Sequence, residues 1–202
     1  EFVKTGHVNL SRRYLIRYTP NTVLNLYKII VSKNLCNVDQ IVENSRVKKT
    51  SIINILGELK KLKFIEGSNN NFSLNPYAYQ YYTENNIVKY LANILMDNTL
   101  IKKILLELEK NKKLTLKQVK NILINEMPFI DATDKIWEQY SKVMCKWLSA
   151  ATMVNMDKNN TISTNNLGRE IGDFLSDEIF FPTTMLAQII KVVELLADNK
   201  EG

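Results

Sequence analysis

The chain has 202 residues, 45% hydrophobic and 24% charged, with one histidine, two cysteines and a net charge of +6. That length holds one large domain or two small ones, and no apolar run reaches the roughly 18 residues of a membrane-spanning helix. His7 alone cannot supply a His-based triad or zinc site, and Cys36 and Cys145 lie too far apart for a metal or redox spacing.

Two free thiols suit a reducing compartment, so a cytoplasmic or nucleoid-associated protein is expected. The chain begins at Glu1 rather than Met, with no secretory signal peptide, so a fragment of a larger protein is expected. The charge is uneven. Residues 1–100 carry 13 Lys/Arg against seven Asp/Glu, whereas residues 101–202 carry 14 of each. Basicity confined to one half points to a polyanionic partner for that half.

In chain order, the stretch Arg12–Arg17 reads as a strand or a short packed arm. Its arginines Arg12, Arg13 and Arg17 are either solvated or in contact with phosphates. Thr19-Pro20 is a helix start, a Thr cap with Pro at the first helical position, and the helix runs to about Ser32. Asn37 caps a short helix over Val38–Glu43, and Asn44-Ser45 breaks it. A second helix starts near Lys48 or Lys49. On it Ile52, Ile55, Leu56, Leu59 and Leu62 fall at offsets 0, 3, 4, 7 and 10, one apolar stripe. Phe64-Ile65-Glu66 and Phe72-Ser73-Leu74 read as two short strands around the turn Gly67–Asn71.

The tyrosines at 77, 79, 81 and 82 could stack on single-stranded bases; the plainer reading packs them on a connecting helix. A turn at Thr83–Asn86 and a helix over Ile87–Met96 follow. The second half then repeats the order: a helix over Thr99–Glu109, a loop at Lys110–Lys113, a Thr115-capped helix to about Asn125, and a long helix from Asp131 or Thr133 to Ala150. A second ribbon follows over Met153–Met156 and Thr161–Ser163. Leu59 and Trp147 are expected in the cores of two separate units. In the tail, a short helix is expected at Leu167–Leu175 and a longer one at Thr183–Asp198. The latter is apolar nearly all round, so it completes the fold or forms a homodimer seam.

A short helix, a turn, a longer helix and a two-stranded ribbon resemble the winged-helix superfamily, over roughly residues 10–165. The resemblance implies a mainly α fold with small β-ribbons: tandem winged-helix domains plus a C-terminal helix. Unit 1 with its N-terminal arm would span 1–84, a linking helix and unit 2 85–164, and the helical extension 165–202. It also implies that the second helix of the motif enters a DNA major groove. The superfamily further includes protein-binding modules of larger assemblies and modules that support an enzyme.

On the residues themselves, Arg46, Lys48, Lys49 and Lys61 flank the helix, and its polar face carries Thr50, Asn54, Glu58 and Lys61, with Ser51 at its edge. Small polar groups and Asn suit base edges, and the lysines suit phosphates. The turn Gly67–Asn71 has no Arg or Lys, so its grip would be weak. Secondary contacts are expected from Arg12, Arg13, Arg17, Lys135, Lys142, Lys146 and Lys158. No Walker loop, GxGxxG or GxSxG occurs, and Glu58-Leu59-Lys60 is a nuclease-like spelling on a helix rather than a strand. The expectation is a sequence-reading duplex DNA-binding region without catalytic activity or cofactor. The alternative is a winged-helix module with a protein partner.

Overall fold

The structure is a computed structural model that describes residues 15–165. His7, Arg12, Arg13 and the helices expected at Leu167–Leu175 and Thr183–Asp198, with the dimer seam, lie outside the described residues. Within them the chain is mainly α-helical, with small antiparallel ribbons.

Helix α1 (Pro20–Lys33) starts at Thr19, whose side chain accepts from the Thr22 amide, with Pro at the first turn. It buries Val23, Leu26, Tyr27 and Ile30. Asn37 caps α2 (Val38–Asn44) by accepting from the Gln40 amide at 2.9 Å. Helix α3 (Lys49–Lys61) buries Ile52, Ile55, Leu56 and Leu59, the stripe read from the sequence. Strands β1 (Ile65–Gly67) and β2 (Phe72–Leu74) pair antiparallel, Ile65 opposite Leu74. Two connecting helices follow, α4 (Pro76–Thr83) and α5 (Ile87–Leu95).

The second half runs α6 (Thr99–Asn111), β3 (Lys113–Leu114), α7 (Leu116–Glu126), α8 (Asp134–Ala150), β4 (Val154–Met156) and β5 (Ile162–Thr164). Its sheet is ordered β3-β5-β4 and antiparallel throughout. The expected loop Lys110–Lys113 is therefore corrected. Helix α6 continues to Asn111, Lys112 turns the chain at φ 61°, and Lys113 enters β3 opposite Ser163. In the first half the stretch before α2 forms no such strand and meets the ribbon through Phe72 N–H to Cys36 O at 2.9 Å.

The long helices of both halves end alike, although their sequences differ. After α3, Lys63 adopts φ 53° and Phe64 N–H bonds Leu59 O at 2.8 Å. After α8, Thr152 adopts φ 53° and Met153 N–H bonds Leu148 O at 3.0 Å. Each is a left-handed cap that turns an apolar residue (Phe64 or Met153) into the core.

Leu59 and Trp147 are both fully buried, within one continuous apolar cluster that runs from Leu15 to Ile162. The segment Leu15–Tyr18 straps the two long helices together. Leu15 and Ile16 are buried, Lys61 Nζ donates to Leu15 O at 2.8 Å, and Trp147 Nε1 donates to Tyr18 O at 2.8 Å. The strap also buries Glu58, which the sequence reading put on the solvent face of α3. Its side chain accepts from Arg17 N–H at 3.4 Å and the residue is 3% exposed.

Candidate nucleic-acid interface

The outer face of α3 presents Thr50 and Asn54 to solvent, with Ser51 half-buried and Ile53 exposed. Lys48 stands at the N-cap and makes no side-chain cap bond, so the first-turn amides keep their partial positive charge. Arg46 and Lys48 are exposed and enter no ion pair among the described residues.

The other basic residues of this stretch are engaged. Lys49 pairs with Asp39 of α2 at 2.6 Å. Lys60 donates to Asn69 Oδ1 at 2.8 Å, and burial lowers its pKa. Lys63 pairs with Asp97 at 2.8 Å. Lys61, expected to face a ligand, pairs with Glu58 at 2.8 Å and holds Leu15 O. Its side chain is only 22% exposed, because its reach is spent on the strap. Sequence counts the positive charges of this stretch but not the acids and carbonyls that partner them.

The β1–β2 hairpin folds back onto its own half. Val38 N–H bonds Asn69 O at 3.0 Å, beside the Lys60–Asn69 contact. Gly67 sits at φ 101°, where an added Cβ would meet Asn71 O at 2.6 Å, so the tight loop requires glycine.

Of the secondary residues, Arg17 is exposed and the structure brings it together with both long helices. On one side a cleft of about 540 Å³ is lined by Arg17, Tyr18, Ile53, Asn54, Gly57, Glu58 and Lys61. On the other a cleft of about 550 Å³ adds Ile136, Gln139, Tyr140, Lys142 and Lys146 of α8 to the same Arg17 and Tyr18. Lys142 pairs with Glu138 at 2.7 Å, and this hydrogen bond holds the Glu138 carboxyl below its usual pKa. Lys146 is exposed with no ion pair among the described residues. Lys135 and Lys158 are exposed but line neither cleft. Tyr18 and Gly57 were not singled out from sequence; of the two, only Gly57, a glycine inside a helical pattern, offers a signal there.

The tyrosine cluster divides. Tyr82 packs edge-on against Tyr27 at 5.4 Å and Tyr81 meets Tyr90 at 5.9 Å, whereas Tyr77 and Tyr79 are exposed. No helix among the described residues is long and apolar enough to cross a membrane. Comparison with protein-family models, with curated proteins and with solved structures gives no match.

Proposed function

We propose that the chain is a tandem winged-helix region that binds duplex DNA through α3 and has no catalytic activity of its own. The observation that carries this reading is the outer face of α3. Thr50 and Asn54 are open to a base edge there, beside Arg46, Lys48 and an uncapped helix N-terminus open to phosphate. The tandem assignment is supported by the repeated order of helices and hairpin, by β3 adding to the second ribbon, and by the matching left-handed caps after α3 and α8. The units are read as residues 1–84 and 85–164, with 165–202 as an extension. The extension's apolar positions Leu186, Ile189, Val193 and Leu196, outside the described residues, would either complete the fold or form a two-fold dimer seam.

The experiment is salt-dependent binding to mixed-sequence duplexes. Lys48→Ala flattens the slope of log K against log salt by about 0.9 if the lysine meets one phosphate. Asn54→Ala relaxes discrimination at one base pair by about 1–3 kcal/mol. Unchanged binding by both variants removes α3 from the interface.

A second reading, a protein-binding module, is favoured by two exposed isoleucines. Ile53 is 37% and Ile136 39% exposed, and each lines a cleft beside Tyr18. Binding that ignores salt and prefers no nucleic acid selects that reading.

A further inference from the structure

Resting on the duplex reading, we propose that one sugar–phosphate strand runs in a furrow made by the clefts beside α3 and α8. It passes over Gly57 and is held by Arg17 and Lys146, so both halves grip a single duplex.

Three observations carry this. First, the two clefts share Arg17 and Tyr18, so they adjoin across the strap, one against α3 and the other against α8. Their spacing is set by the strap, which Lys61 and Glu58 fasten to α3 and Trp147 fastens to α8. A seat fixed before binding loses little freedom when occupied.

Second, the charges leave a local surplus. In the α3 cleft the Glu58 carboxylate is matched by Lys61, leaving Arg17 over. In the α8 cleft Lys142 is matched by Glu138, leaving Lys146 over. Two cations that enter no ion pair among the described residues, with Asn54 and Gln139 as further polar partners, suit the phosphates of one strand. The half-buried Tyr18 and exposed Ile53 and Ile136 suit the apolar face of a sugar.

Third, Gly57 lies inside α3, where glycine weakens a helix. Packing does not require it, since a Cβ there would meet nothing within 4 Å. The missing side chain keeps the furrow floor open for close approach of a backbone.

The test is fluorescence anisotropy of a labelled mixed-sequence duplex over a salt series, using the intact chain and the variants Arg17→Ala, Lys146→Ala, Gly57→Leu and Lys48→Ala. The first two should each flatten the salt slope by about 0.9. Gly57→Leu should weaken binding several-fold while its Tm stays level or rises, which separates the furrow from the fold. If Lys48→Ala weakens binding but the three furrow variants bind as the parent does, the strand seat is overturned and the α3 reading stands. If the parent chain shows no salt-dependent duplex binding, both fall. If polyglutamate displaces the duplex at equal charge concentration, the furrow takes an acidic chain and the strand seat is overturned.

Discussion

Removing Lys61 should destabilise the fold more than removing the charge of its partner Glu58. The Glu58 side chain is 4% exposed and Lys61 22%, at 2.8 Å from each other. Lys61→Met leaves a nearly buried carboxylate whose remaining contact is Arg17 N–H at 3.4 Å, and it also strips Leu15 O of its donor. Breaking a buried pair from one side costs about 3–5 kcal/mol. Solvent still reaches Lys61 and screens part of the interaction, so the loss should fall at the lower end, about 3 kcal/mol. Glu58→Gln leaves a lysine that keeps Leu15 O and some water, and should cost about 1–2 kcal/mol. The double variant should cost less than the two singles together, with a coupling of about 1–3 kcal/mol. Urea unfolding followed by tryptophan fluorescence reads this well, because buried Trp147 is bonded to the same strap through Tyr18 O. A Lys61→Met variant within about 0.5 kcal/mol of the parent, the range of ordinary surface changes, or strictly additive singles, would refute the buried staple.

Two buried tyrosines should respond oppositely to loss of their hydroxyls. Tyr27 Oη is buried without a hydrogen-bond partner among the described residues, so Tyr27→Phe should be neutral or stabilising by about 1 kcal/mol in urea unfolding. Tyr90 Oη lies 3.0 Å from Leu62 O and 2.7 Å from Lys63 O at the end of α3, so Tyr90→Phe should cost about 1–2 kcal/mol. Burial pushes the Cys145 thiol up to about 12. A group raised on folding stabilises fully below its unfolded pKa, so this contribution should fade as pH climbs from about 9 towards 12. Cys145→Ala should flatten that alkaline limb, and a thiol reagent at neutral pH should label Cys36 quickly and Cys145 only on unfolding. Leu59→Ala should cost about 2–5 kcal/mol and Trp147→Ala about 3–5, as both side chains are fully buried; a loss under 1 kcal/mol at either would contradict the packing.

The elements with periodic apolar faces were legible in the sequence. The α3 stripe and the Thr19-Pro20 start need only local spacing and capping chemistry, and each stands within a residue or two of its expected place. Strand β3 was not legible, because two residues carry no alternation and its partner Ser163 is supplied by the far end of the half. The candidate site was legible as residue types but not as partnerships. Lys61 meets Leu15 across 46 positions, and Trp147 meets Tyr18 across 129. Those contacts bury Glu58, withdraw Lys61 from the outer face and bring Arg17 beside α8. Helical spacing alone placed Glu58 and Lys61 with Asn54 in solvent, since it knows nothing of a strap laid over one flank of the helix.

Whether α3 meets a duplex with its outer face is read directly from backbone amide chemical shifts recorded while a mixed-sequence duplex is titrated into the intact chain. The largest changes should fall over residues 46–54, with a second group at Arg17 and along α8 around Lys146, all fading as salt is raised. Changes centred instead on α4, where Tyr77 and Tyr79 are exposed, or no changes at low salt, would contradict that contact.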